Sequence, residues 1–234
     1  MTITNAFTPK DWGGIRLVAF DVDGTLYRQS ALRLRMARDI SWQSVLKLDF
    51  GTIGVLAKYR RIRERLAEEE AVDFENVLIG KIAEATNKPP DTVRAIVSEW
   101  IERRPICYLA RCRYAGVAEL FEGLRSNGKV IGILSDYPAK MKLMALDLAA
   151  NHIVTAGDAG VGLLKPHPRG LEFLMAMAGV EAHETVLIGD RPDRDGLAAR
   201  RAGVRALIRS SKPIQGWQTF KSFTDPLFAP CLSR

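Results

Sequence analysis

The segment DVDGTL at residues 21–26 sets two carboxylates, Asp21 and Asp23, at the end of the apolar run IRLVAFD. At a strand end this spacing projects both acids toward one site, because side chains two residues apart share a face. Gly24 beside them permits a tight turn or the close approach of a ligand. Taken alone, the pattern suits an ordinary Asp-Gly turn equally well. A calcium-binding loop fits worse, since the further acidic positions and the closing Glu are missing. Other side chains able to do chemistry sit at comparable places: Ser135 and Asp136 in GILSD, Lys165 in LLKPHP, and Asp190, Asp193 and Asp195 in GDRPDRD.

These residues need elements to hold them. Short apolar runs at 15–21, 129–136, 152–158, 185–190 and 204–208 are too short for typical helices and read as buried parallel strands. Helical patterns at 116–126, 138–149, 168–179 and 194–202 fall between them, the first followed by Asn127-Gly128, a pair that closes a helix in the left-handed conformation. Alternating strand and helix predicts an α/β fold, a Rossmann-like doubly wound parallel sheet. Ligands of such sheets gather outside the carboxyl ends of the strands, where Asp21, Ser135 and Asp190 would converge.

The alternation has one gap. Residues 29–113 carry no comparable β-branched run and read as an inserted, mainly helical domain, dividing the chain into a core of 1–28 and 114–234 and an insertion of 29–113. The insertion holds the charged stretch KYRRIRERLAEEE at 58–70 and the segment NKPPDTVRAIVSEW at 87–100. In the latter, Asp91 is placed to cap a helix whose apolar face includes Val93, Ile96, Val97 and Trp100. The segment after Ser210 is weakly patterned and is assigned no role.

In their order and spacing, DVDGTL, Ser135 in GILSD, Lys165 in LLKPHP and GDRPDRD resemble the haloacid dehalogenase (HAD) superfamily of phosphohydrolases, over about residues 15–28 and 114–208. The resemblance implies that Asp21 is a nucleophile forming an aspartyl-phosphate, and that Asp23 protonates the leaving oxygen and then activates water. It implies a Mg²⁺ held by the Asp21 carboxylate, the Asp23 backbone carbonyl and the Asp190 carboxylate, with Asp195 orienting metal-bound water or Lys165. For Asp193 and Asp195, a helix N-cap is the competing reading. Lys165 and Ser135 would bind the transferring phosphate. Asp136 departs from the neutral residue common there: it points away from phosphate, caps the next helix or binds a substrate hydroxyl. His167 has no evident part. The insertion matches a helical C1-type cap, with flexible connections near Tyr27 to Ser30 and Arg111 to Ala115. Candidate specificity residues are Arg111, Arg113 and the basic or aromatic groups between Arg28 and Tyr59.

Composition bounds the rest. With 47% hydrophobic and 26% charged residues the chain is ordinary globular protein rather than disordered. The three cysteines, Cys107, Cys112 and Cys231, suggest neither a disulfide framework nor a zinc site. Without a signal-like or spanning apolar stretch, the protein reads as cytoplasmic. A net charge of +7, most of it in the insertion, favours acidic ligands. The expected activity is a Mg²⁺-dependent phosphatase acting on a monoester of a small metabolite. Its alternatives are a sugar phosphomutase, a phosphatase of lipid-linked phosphate and, in a different class, a nucleic-acid-binding protein using the basic insertion. The stretch 40–63, aromatic and aliphatic before a basic run, is either a peripheral membrane contact or packed core.

Overall fold

A computed structural model describes residues 6–47 and 51–232, the side chains of residues 44–47 excepted. Six strands, β1 (Leu17–Phe20), β2 (Val130–Ser135), β3 (His152–Thr155), β4 (Thr185–Gly189), β5 (Arg205–Arg209) and β6 (Gln218–Phe220), form one sheet in the order β3-β2-β1-β4-β5-β6. Every neighbouring pair is parallel, and β1 is flanked by β2 and β4, with Phe20 in register with Ile133 on one side and Ile188 on the other. The chain moves outward from β1 to β3 and then returns to build β4 to β6 on the opposite side. That reversal makes the crevice at the carboxyl end of β1 the natural ligand site of the sheet.

Both faces of the sheet are covered, so the strands read as continuous apolar runs rather than alternating ones. Leu17 and Ala19 of β1 pack on one face with Leu171 and Leu174 of α8 (Arg169–Ala178) and Ala199 of α9 (Leu197–Arg201). Val18 and Phe20 pack on the other with Leu120, Phe121 and Leu124 of α6 (Val117–Ser126) and Leu143 of α7 (Lys140–Ala145). Each such burial contributes roughly 1.5–3 kcal/mol relative to exposure. The expected α/β class is therefore the observed one. Gly128, at φ +67°, takes the left-handed conformation after α6.

Among the described residues between β1 and α6 the elements are helices: α1 (Gln29–Lys47), α2 (Gly51–Glu68), α3 (Phe74–Thr86), α4 (Pro90–Val97) continuing as a π-helical turn at Ser98–Arg103, and α5 (Ile106–Cys112). In α2, Val55, Tyr59, Ile62 and Leu66 recur at helical spacing and pack with Leu78 and Ile82 of α3 and Val93 and Val97 of α4. This is a second apolar core. Asp91 is not the cap of α4: Pro89 is, and Asp91 lies inside the first turn, because Pro90 is pre-set for the first helical position. Where the helical segment joins the sheet, its two connections run antiparallel. Tyr27 bridges Arg113, Arg28 N–H donates to Cys112 O at 2.9 Å, and Tyr114 N–H donates to Leu26 O at 3.1 Å.

In the 40–63 stretch, Val55, Leu56, Tyr59 and Ile62 are buried while Trp42 is 69% exposed; residues 48–50 lie outside the described residues. Among the described residues no helix is long and apolar enough to cross a membrane.

The segment after Ser210 is more than a tail. It supplies β6 and then buries Phe220, Phe223 and Phe228 against one another, with the Trp12 ring of the N-terminal segment tilted against Phe228, centroids 5.9 Å apart, and its indole N–H donating to Leu227 O at 2.7 Å. A three-residue strand followed by a 3₁₀ turn and the short α10 (Ala229–Leu232) has no repeating period, which is why the sequence pattern was weak there.

Candidate active site

Asp21 directly follows β1, Ser135 ends β2 and Asp190 directly follows β4, so three adjacent strands deliver three functional groups to one edge of the sheet. Asp21 is 6% exposed and its backbone N–H is held by Ile188 O at 2.9 Å. Lys165 reaches in from the loop before α8. Its Nζ lies 2.6 Å from Asp21 Oδ1 and 2.6 Å from Asp195 Oδ1, and 3.4 Å from Leu134 O. Thr25 Oγ1 donates to the other Asp21 oxygen at 2.8 Å.

Burial pushes the Asp21 carboxyl well above the ordinary range; Lys165 opposes this, and the carboxylates of Asp195, Asp190 and Asp23 add to it. Burial works against the charge of Lys165, but Asp195, Asp21 and Asp136 outweigh it and hold the ammonium form. The Asp190 carboxyl is pushed up to about 6 by burial and by Asp195.

Asp21, Asp190 and Asp195 each bring one carboxylate oxygen within 4.8 Å of the others. Asp190 Oδ1 is buried with no hydrogen-bond partner among the described residues. An orphaned, buried carboxylate oxygen inside an all-oxygen donor set fits a hard divalent cation. Gly24, at φ +101°, completes the cradle, because a Cβ there would stand 2.2 Å from Asp190 Oδ2. The side chain that joins the acidic group is thus Asp195, and not that of Asp23. Asp195 also accepts from the Asp190 and Arg191 backbones at 3.1 and 2.9 Å, which fixes the turn after β4. It is no helix N-cap.

Asp23 is engaged differently. Lys142 Nζ, from α7, lies 2.7 and 2.6 Å from its two oxygens, and Tyr27 donates its hydroxyl to the same carboxylate. Burial raises the Asp23 pKa, yet the charge and hydrogen bonds of Lys142, with the Tyr27 hydroxyl, outweigh it and leave the carboxyl below its ordinary value. Neither partner was found from sequence. Tyr27 carried a signal, since it stands four residues after Asp23 in a segment where Leu26 N–H bonds to Val22 O at 3.1 Å, one helical turn. Lys142 carried none.

Asp136 turns its carboxylate to the Lys165 backbone N–H at 3.0 Å, so it neither caps α7 nor leaves that side chain directed at an anion. Ser135 Oγ accepts from Tyr137 N at 3.2 Å. His167 accepts from the Arg169 backbone at 3.2 Å, and Asp193 is exposed and paired with Arg191. Arg111 is exposed and Arg113 donates to Leu146 O; neither lines the cavity above Asp21.

That cavity, about 100 Å³, is roofed by the helical segment. Arg63 of α2 is buried, stacks over Tyr137 at 4.2 Å and donates to the Asp136 carbonyl. Glu64 accepts from Arg194 at 2.6 Å and from Arg191 at 2.7 Å. The charged run at 58–70 therefore faces the sheet with its buried arginine and its acid, with only part of it in solvent.

A family model described as "Hydrolase: haloacid dehalogenase-like hydrolase" matches residues 15–203. The chain is 28% identical over 193 residues to Phosphoglycolate phosphatase 1 of Pseudomonas aeruginosa, covering 81% of this chain and 67% of that one. Among solved structures, a 2-haloacid dehalogenase from Pseudomonas syringae pv. Tomato aligns with a TM-score of 0.62 at 19% identity, over 89% of this chain and 95% of that one. A Bacillus subtilis HAD-hydrolase, YfnB, aligns at 0.63 and 17% over the same shares, 89% and 95%. At such identities the two structures bear on the fold alone.

Proposed function

The chain belongs to the haloacid dehalogenase-like hydrolases and is a phosphoric monoester hydrolase, and we propose that it is a Mg²⁺-dependent phosphatase of a small phosphorylated metabolite, working through an aspartyl-phosphate on Asp21. The observation that carries the proposal is Asp23. A second carboxylate, lining the same cavity as Asp21 and in contact with the proton donors Lys142 and Tyr27 that can reprotonate it, is what ester hydrolysis needs and halide displacement does not.

In this reading the substrate phosphate sits over Asp21, with Ser135 Oγ and Lys165 Nζ donating to its oxygens. An Asp21 oxygen attacks phosphorus, the bond to the alcohol oxygen breaks, and Asp23 supplies that oxygen with a proton. Asp23 then takes a proton from the water that releases phosphate and regenerates Asp21. Asp21, Asp190 and the Asp23 backbone carbonyl would hold Mg²⁺, with Asp195 beside it, and the ion when bound offsets the charge of carboxylates and phosphate. We assign residues 1–28 and 114–234 to the catalytic unit and 29–113 to a cap. The half-exposed pairs of Glu64 with Arg191 support a cap that opens, since such pairs add little stability. Excluding water there strengthens the electrostatics at phosphate.

The direct test is release of inorganic phosphate from a panel of nucleotides, sugar phosphates, lipid phosphates and aryl phosphates, with and without Mg²⁺. Release that needs the metal is the expected result; none from any ester, with the protein folded, sinks the proposal.

Two further outcomes follow from the charges. Lys142 favours the ionised form of Asp23, so Lys142→Met should move the limb of the kcat/KM pH profile set by Asp23 to higher pH, with Lys142→Arg restoring it. An unmoved profile would detach Lys142 from the chemistry. For Asp190, a folded pKa raised to about 6 means its contribution to metal-free stability is present in acid and lost as pH rises through that value. Mg²⁺ binds the ionised form, so the rise in melting temperature on adding Mg²⁺ should be larger at about pH 7.5 than at about pH 5. Equal shifts would argue that the ion binds elsewhere.

A further inference from the structure

Asp23, Gln29, Arg33, Glu64 and Tyr137 line the cavity above Asp21 and also line a second chamber of about 270 Å³. This chamber runs among α1, α2, the π-helical turn and α5. Its walls are Leu32, Met36, Leu56, Trp100 and Leu109, all buried, with Ile40 partly so. Its polar groups are unevenly placed. Lys142 and Tyr27 are committed to Asp23, while Arg33 and Arg60 are exposed. A charged group set against these five buried walls would be unpaired and costly, while Arg33 and Arg60 leave the solvent-facing part of the lining able to pair an anion.

The leaving oxygen of a phosphate ester must lie against Asp23 to receive its proton, so the carbon skeleton attached to that oxygen continues past Asp23. The chamber begins at that residue. Resting on the phosphatase reading above, we infer that the substrate is the monoester of an apolar alcohol, whose ring or branched hydrocarbon group fills this chamber. Its volume sets how much of such a group is enclosed. A dry apolar cavity of about 150 Å³ holds a benzene ring, which scales to roughly ten carbons here.

The test is calorimetric titration of the full chain, with Mg²⁺ present, by three non-hydrolysable ligands: 1-naphthylmethylphosphonate, methylphosphonate and phosphonoacetate. Each methylene-equivalent taken from water multiplies affinity by a factor of about four, so the naphthyl ligand should bind at least roughly tenfold tighter than either small one. Met36→Trp, which fills the chamber, should bring the naphthyl ligand down toward methylphosphonate. Methylphosphonate or phosphonoacetate binding as tightly as the naphthyl ligand to the native chain would overturn the inference, whether or not Met36→Trp folds. So would a naphthyl preference that survives in a folded Met36→Trp protein. The two readings separate in a parallel assay. If no ester of the panel above is hydrolysed, 1-naphthyl phosphate and a short carboxylated phosphate ester included, the phosphatase reading falls, while the binding comparison still decides what the chamber accepts.

Discussion

Replacing Asp21 with Asn is expected to lower Mg²⁺-dependent phosphate release from an aryl phosphate by about 10⁴-fold or more, because an amide cannot form the acyl-phosphate bond on which both displacements depend. The fold should survive the change. In the metal-free protein Asp21 is buried beside Asp195, Asp190 and Asp23, and its raised pKa means that ionising it opposes folding as pH rises. An isosteric neutral residue relieves that repulsion while Asp195 continues to hold Lys165 at 2.6 Å. The melting temperature without Mg²⁺ at neutral pH should therefore equal or exceed that of the native chain. Activity within about tenfold of native, in a protein that melts normally, would remove Asp21 from the nucleophile's position.

Lys165→Met should fail on both counts. The lysine is 4% exposed and is the cation between the Asp21 and Asp195 carboxylates. Without it those buried acids have lost their shared counter-charge, a change of the kind that costs about 3–5 kcal/mol. Removing a preorganised donor from the phosphoryl oxygens should cost a further factor of about 10²–10³ in kcat. Protonation neutralises orphaned carboxylates, so the loss of stability should be smaller in acid than above neutrality. Denaturant unfolding at about pH 5 and about pH 8 without metal measures it. Equal losses at the two values would mean that the lysine serves packing rather than charge.

How much of this was legible beforehand depends on whether the signal was local. Apolar runs ending in an acid marked β1 and β4, since a strand covered on both faces has no other way to be written. Asp21, Ser135, Lys165 and Asp190 stood out because each sits in a short motif at a strand end or in a connecting loop; the structure brings Asp21, Lys165 and Asp190 to one cavity, while Ser135, buried at the end of the neighbouring strand, is not in its lining. Lys142 was invisible. Its partner Asp23 is 119 residues away, and one lysine on a short helix looks like any solvated charge until the chain is folded. Arg63 and Glu64 were hidden in plain view within a run of like residues, where charge pattern gives no hint of which side chain turns inward. The sixth strand, β6, at the edge of the sheet, was missed because three residues are too few to show a period.

The antiparallel meeting of Tyr27 with Arg113, clamped by the flanking bonds to Cys112 and Leu26, makes a two-stranded stem from which all five helices hang. The ends of the loop joining β1 to β2 are tied together at that stem, and lengthening such a loop costs only a logarithm of its length. The helices beyond the stem still reach back to the site, through Arg63 on the Asp136 carbonyl and Glu64 on Arg191 and Arg194, so a bundle of another size hung on the same stem must reproduce those contacts. The stem thus fixes where the helical segment leaves and rejoins the chain, while its contacts with Asp136 and Arg194 tie it to the cavity it roofs.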